Sequence, residues 1–250
     1  MSMFRRPGKT ADRTEMLELI LESLRIPVQV RFDRFRTLRL SVRPEGIVSV
    51  RAPHRTSAEY IRAHLENKAA WIVRHLERFR TLRLAAPPLE YVDGEAHAYL
   101  GCSYRLSISQ GKRNGVHLAD DRFEVTTLFP PRPAKVRELM DAWYLKQARE
   151  IFPRIIREML PRCDALAVPR PARLTVRAMT SRWGTCSVAR VITLNRHLVR
   201  AALPCVEYVV AHELCHLKHH GHNALFYGLL AAIMPDWKER KKRLAREVLL

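Results

Sequence analysis

The residues of this chain best suited to catalysis lie together in the segment VVAHELCHLKHHGHNALF, residues 209–226. His212 and His216 are four residues apart, so on an α-helix their side chains lie about 40° apart and one turn along. Two imidazoles in that arrangement can share one metal ion, and the His-Glu-x-x-His pattern is typical of catalytic zinc. Glu213 follows the first histidine and is placed to reach a zinc-bound water without binding the ion itself.

Catalytic zinc needs a third protein ligand and keeps a fourth position open. His222 comes directly after Gly221, and a chain that reverses at this glycine brings His222 back over the first two histidines. His219 and His220 compete for the same role, but His219 lies further along the helix axis and His220 points elsewhere. We therefore expect His222 to be the third ligand, and Cys215 to be a small core residue that faces away from the site.

The residue types predict hydrolysis of an amide bond. Zinc lowers the pKa of a bound water toward about 7 and polarises a carbonyl group, while Glu213 takes the proton and returns it to the leaving amine. Two plainer readings remain: the pentapeptide arises by chance in an apolar helix, or the histidine tract binds metal adventitiously. The combination of an apolar helix, a glutamate in the base position and a ligand just beyond a glycine favours catalysis.

The elements that must hold this site follow from the sequence around it. Pro204 starts a helix that we expect Gly221 to end, and Asn223 can cap the final helical region. Upstream, the pattern predicts a strand at 174–179, a glycine-containing loop at 181–187 and a second strand at 191–195. A long helical pattern precedes them, and Pro153 inside it is expected to kink or divide that helix.

The N-terminal half is predicted to be rich in β-structure. Residues 1–26 are expected to form an arm with a short helical segment, and residues 31–53 alternate like a hairpin with one wet, basic face. Thr56 and Glu59 form a capping-box pattern that opens one long helix. We therefore predict an α+β fold with a β-rich N-terminal region at 27–130 that contains this helix, followed by a C-terminal unit at 131–250 that carries the histidines.

Composition narrows the class of protein. A hydrophobic content of 47% excludes wholesale disorder, and 44 basic against 25 acidic residues give a formal charge of +19. That surplus indicates an anionic partner, nucleic acid first and an acidic protein or membrane surface second, unless the arginines only solvate helix faces. The five widely spaced cysteines argue for a reducing compartment. With no signal-peptide pattern and no membrane span, we expect a cytoplasmic protein.

Four segments, SRWGTCS, VITLN, HELCHLKHHGHNALFY and PDW, resemble the SprT-like zinc metallopeptidases, most closely the YgjP-type branch related to the WLM peptidases. The resemblance is specific over residues 174–237 and extends back to about residue 27. It implies that residues 131–250 form a zincin-like zinc metallopeptidase domain, that His212, His216 and His222 bind zinc and that Glu213 is the catalytic base.

The SRWGTC loop is the second feature of that resemblance. Arg182 is a candidate to steady a substrate carboxylate or oxyanion, and Trp183 to line the cleft, although both could instead lock the loop in place by packing. Cys186 could replace His222 as a ligand, as in zinc deformylases. We expect a zinc-dependent peptidase acting on proteins, including ones bound to DNA. The alternative is a non-catalytic nucleic-acid-binding protein in which a structural zinc ion only holds the C-terminal helices together.

Overall fold

The computed structural model describes residues 13–21, 24–34, 37–43, 46–85, 88–180 and 182–247. The chain divides into two compact units, Met1–Pro87 and Pro88–Leu250. The sequence-based boundary near residue 130 falls inside the second unit, because the strands before it pack against the long helix after it.

The first unit is a four-stranded sheet with one face covered by two helices. Its elements are β1 (Arg13–Leu21), β2 (Leu24–Asp33), β3 (Arg39–Val42), β4 (Val48–Pro53), α1 (Ala58–Asn67) and α2 (Ala69–Ala85). The strand order is β1-β2-β4-β3, with β2 and β4 parallel and the other pairs antiparallel. Alternate residues such as Val28, Val30 and Val50 form a core with Ile61 and Leu65 of α1, so the opposite sheet face is left to solvent.

Two expectations for this unit differ from the structure. Residues 13–21 of the expected N-terminal arm form β1 and not a helical segment, and residues 1–12 of that arm lie outside the described residues. The single long helix is two helices, since α1 ends at Asn67 with Lys68 as its C-cap. The N-cap of α1 is Ser57 rather than Thr56, and the Ser57 hydroxyl accepts a hydrogen bond from the backbone N–H of Tyr60 at 3.2 Å.

The second unit combines two small sheets with a group of helices, which confirms the α+β class. Its first elements are β5 (Ala96–Tyr99), β6 (Cys102–Gln110), β7 (Gly115–Leu118), β8 (Arg122–Thr127) and α3 (Pro133–Ala165). They are followed by β9 (Arg173–Arg177), β10 (Gly184–Cys186), β11 (Val191–Asn195), a 3-10 helix (Arg196–Arg200), α4 (Leu203–Cys215), α5 (Ala224–Ile233) and α6 (Trp237–Glu247). The sheet orders are β5-β6-β8-β7 and β10-β11-β9.

Helix α4 lies at the centre of this unit. It packs against α3, α5, α6 and the edge strand β10, and most of its side chains are buried. Helix α3 runs without interruption through Pro153, so the proline does not divide it. Within the described ranges, no helix is both long and apolar enough to cross a lipid bilayer.

Candidate metal centre

Three histidine side chains converge at the C-terminal end of α4. The Nε2 atom of His212 lies 3.2 Å from Nε2 of His216 and 3.0 Å from Nε2 of His222. Ligand atoms of all three lie within 4.8 Å of one another. A tetrahedral zinc ion with Zn–N bonds of about 2.0–2.1 Å separates its nitrogen ligands by roughly 3.3 Å. The two distances from His212 are therefore close to those between nitrogen ligands of one zinc ion.

The ring of His216 is oriented by a backbone carbonyl. Its Nδ1–H donates to the carbonyl oxygen of His219 at 3.1 Å, which leaves the lone pair on Nε2, the atom that faces His212. His219 thus contributes a backbone oxygen that fixes its neighbour. Burial, and then the charges of the other two histidines, lowers the pKa of His212 to about 3, so its ring is neutral, as a metal ligand must be.

The turn that returns His222 to the site is not the one predicted. Helix α4 ends at Cys215 with His216 as its C-cap, so Gly221 does not end the helix. The described glycines with positive φ are Gly46, Gly94 and Gly101, and Gly221 therefore needs no left-handed conformation. Residues 216–222 form a longer turn, and Asn223 then caps α5 by accepting from the backbone N–H of Phe226 at 3.0 Å.

A fully buried phenylalanine packs against all three imidazoles. The ring centroid of Phe226 lies 4.9 Å from that of His212, 4.7 Å from His216 and 4.8 Å from His222. One aromatic surface thereby restricts three rings at once and keeps water from one side of them. Sequence reasoning missed this role; its signal is an aromatic residue four positions after the last histidine.

The side chain of Glu213, next to His212 in the chain, is buried. Only 4% of this residue is exposed, and its Oε2 atom has no hydrogen-bond partner within the described part of the chain. Burial raises the pKa of Glu213 to about 7, against the opposing charge of Arg182. A carboxyl that titrates near neutrality is suited to general-base chemistry.

The room for this carboxyl comes from Gly184. A Cβ atom at position 184 would lie 2.7 Å from both Cγ and Oε1 of Glu213. Only glycine allows β10 and the glutamate side chain to approach so closely. The glycine of the SRWGTC loop is therefore required by its contact with Glu213.

The same loop is held by hydrogen bonds from Asn195, a residue that the sequence analysis did not single out. Asn195 is fully buried, and its Nδ2 donates to the carbonyl oxygens of Met179 at 2.8 Å and Arg182 at 3.1 Å. Its backbone N–H donates to the carbonyl oxygen of Trp183 at 2.8 Å. A polar residue at the end of the buried strand VITLN was the available signal.

The two cleft candidates from the sequence are placed differently. Trp183 is partly buried and packs against the main core, which is the packing role considered for it. The side chain of Arg182 is exposed, and its charge reaches Glu213. The structure thus separates the two residues, with the Arg182 side chain in solvent and the Trp183 side chain against the core.

The remaining donors considered lie outside the histidine group. Among the described residues, the three-ligand cluster contains neither Cys186 nor the side chains of His219 and His220. The Cys186 thiol donates to the carbonyl oxygen of Ser187 at 3.7 Å. Cys215 is fully buried in the core, as expected for a residue that faces away from the site.

Comparison with known proteins identifies the relatives of this chain. Residues 36–247 match the family model described as YgjP-like, metallopeptidase domain, a range that includes the whole histidine group. No curated protein matches the chain significantly.

Two solved metallopeptidase zymogens are similar to parts of the chain. Jannalysin of Methanocaldococcus jannaschii is 17% identical, with 39% of this chain and 97% of that chain covered and a TM-score of 0.34. Abylysin of Pyrococcus abyssi is 24% identical, with 36% and 90% covered and a TM-score of 0.32.

Proposed function

We propose that this chain, which belongs to the YgjP-like metallopeptidase family, is a zinc-dependent peptidase that hydrolyses peptide bonds in protein substrates. In this proposal His212, His216 and His222 bind the ion and Glu213 is the catalytic base. The observation that carries it is the convergence of three Nε2 atoms beside a buried carboxyl group.

The proposed chemistry assigns a task to each side chain. The three imidazoles hold the ion, and Phe226 keeps their rings in position. A bound zinc ion supplies Lewis acidity toward the substrate carbonyl and makes a water molecule more acidic. Glu213 takes a proton from the attacking water and delivers it to the nitrogen of the leaving amine. Arg182 steadies the oxyanion or a substrate carboxylate, which its exposed position beside Glu213 supports.

The finer classification belongs to the same proposal. A zincin-like C-terminal unit is supported by the packing of β10 against α4, which sets a small sheet beside the proposed ligand helix. Kinship with the wider SprT-like and WLM peptidases and a cytoplasmic location stay predictions from the sequence.

The alternative is a non-catalytic nucleic-acid-binding protein with a structural zinc ion, and it gives Glu213 no catalytic role. A structural zinc site does not need a base, and a buried carboxyl oxygen without a hydrogen bond, as Oε2 of Glu213 is among the described residues, destabilises the fold. Keeping such a group beside three histidines, in a space that only Gly184 leaves open, favours catalysis.

Metal content and cleavage of an unfolded protein test the proposal together. Purified wild type, Glu213→Gln, His222→Ala and the control His220→Ala are compared by inductively coupled plasma mass spectrometry and by casein cleavage. We expect one zinc per chain in all but His222→Ala, and cleavage by wild type and the His220 control. Removing the general base should reduce kcat by about 10²–10⁴. Zinc retained in all four, with cleavage that does not depend on Glu213, would refute the assignment.

A further inference from the structure

Helix α6 carries a stripe of basic side chains that faces solvent. Lys238, Lys242 and Arg246 follow one another at intervals of four residues, so successive members lie one turn apart and about 40° around the helix. All three residues are exposed. Because a helix rises about 1.5 Å per residue, this basic stripe is about 12 Å long.

The carboxylates around α6 are paired with two other arginines. Arg240 forms ion pairs with Asp236, at 2.8 Å, and with Glu207. Arg243 forms an ion pair with Glu247. No member of the basic stripe forms an ion pair with any residue that the structure describes. The positive charges of the stripe are therefore not neutralised by the carboxylates of the described chain.

The large apolar side chains of α6 pack against the protein. Leu244 is only 5% exposed, and the ring of Trp237 stacks on that of Tyr227 with a centroid distance of 5.2 Å. The Nζ atom of Lys238 lies 5.8 Å from the centroid of the Trp237 ring, a contact that leaves its charge in place. A helix that lies in a membrane surface buries its apolar side among the lipids. In α6 that side is used for packing, so a lipid surface is the poorer match.

Two further charges of α6 lie beside the stripe. Glu239 is exposed and removes one positive charge, whereas Lys241 is exposed and adds one. After burial and the charges of the other two histidines, the charge of Lys241 helps to lower the pKa of His212 to about 3. Helix α6 also packs against α4. The stripe thus belongs to a helix that adjoins the proposed metal centre.

We propose that the basic stripe of α6 binds the phosphate backbone of nucleic acid without reading its sequence. The phosphates of one strand of a duplex recur about every 3.4 Å along the axis, so a stripe of about 12 Å spans roughly three or four of them. Lysine and arginine donate hydrogen bonds to phosphate oxygens whatever the base, and a formal charge of +19 steers a polyanion toward the protein. This surface goes beyond the proposed peptide hydrolysis, and its binding does not require the metal ion.

The test compares two triple variants of the full chain that lose the same charge. The first removes the stripe and keeps the lysine whose charge reaches the metal centre: Lys238→Gln/Lys242→Gln/Arg246→Gln. The control removes three exposed basic side chains of α3 that also form no ion pair within the described chain: Lys146→Gln/Arg149→Gln/Arg157→Gln. Fluorescence anisotropy measures the affinity for labelled single-stranded and duplex DNA across a series of salt concentrations.

The stripe variant should lose at least about tenfold in affinity at low salt. Its salt slope on single-stranded DNA should fall by about 2, because each of three neutralised phosphates contributes about 0.7. The α3 variant should stay within about threefold of the wild type. The charge-conserving variant Lys238→Arg/Lys242→Arg should keep most of the affinity, and thermal melts monitor the folding of every variant.

Three outcomes would overturn the proposal. They are no binding of DNA by the wild type, an equal loss in both triple variants, and stripe-dependent binding of phosphatidylserine vesicles without binding of DNA. Glu213→Gln should bind DNA like the wild type, and the stripe variant should keep its zinc and cleave casein normally. A failure of this surface and a failure of the proposed peptidase are thereby distinguished.

Discussion

Replacing Gly184 with alanine tests how the site positions its carboxyl group. The new Cβ would meet Oε1 of Glu213 at 2.7 Å, roughly 0.7 Å closer than an ordinary contact of 3.4 Å. Glu213 is buried and cannot swing into solvent, so either its carboxyl group or β10 must shift. A displacement of about 1 Å in a catalytic group costs on the order of 10² in rate.

We therefore expect Gly184→Ala to lower kcat/KM on casein about 10²-fold while the variant keeps one zinc per chain. The three atoms nearest to the new methyl group all belong to Glu213 and none to the histidines that would bind the ion. Casein cleavage, metal analysis and a thermal melt separate a displaced base from a lost metal or an unfolded chain.

Gly228→Ala is the matched control, because a Cβ there would meet nothing within 4 Å. Gly228 lies inside α5, where alanine should stabilise the helix by about 0.5–1 kcal/mol. Full activity in Gly184→Ala, or an equal loss of activity in Gly228→Ala, would show that contact with Glu213 does not govern catalysis.

Three further substitutions give expected results from the geometry. Phe226→Ala should destabilise the fold by about 3–5 kcal/mol and make zinc easier to remove with a chelator. Phe226→Leu should show smaller losses of stability and of zinc retention. Unchanged zinc retention in the alanine variant would contradict the packing argument. Asn195→Ala should lower stability in urea and reduce kcat, since it frees the loop that carries Arg182; a normal kcat would refute that link. Burial, and then the charges of nearby arginines, lowers the pKa of His197 to about 3. Below about pH 6.5 the unfolded chain therefore binds more protons than the folded chain. The free energy of unfolding should decrease as the pH is lowered from about 6.5 toward 3. His197→Gln should show a shallower decline in its urea midpoint over that range, and an unchanged decline would mean that other groups cause it.

The sequence best predicted those features that depend on residues close together in the chain. His212, Glu213 and His216 lie within five consecutive residues, so helical geometry alone sets their relation. Asn223 is likewise a cap that acts on a neighbour three residues away. The predicted end of α4 at Gly221 is wrong, because the helix ends at Cys215 in a turn that no single residue type marks.

Contacts between distant segments were beyond that reasoning. Gly184 contacts Glu213 across the fold, and no periodicity in the sequence indicates this approach. The sequence pattern does not predict strand β1 for another reason, because its residues Met16 and Ile20 are apolar but 65% and 59% exposed. Apolar residues on both faces hide the period of two by which a strand is recognised.

The convergence of three imidazole nitrogens has a consequence for which metal ion the site would bind. Nitrogen ligands do not select zinc by affinity, because divalent copper binds such sites more tightly in the Irving–Williams order. His222 is exposed, so ions from the surroundings can reach the group. The metal found in a preparation then reflects which metals were present during expression and purification. Nickel ions from an affinity column, or trace copper ions, can replace the native ion.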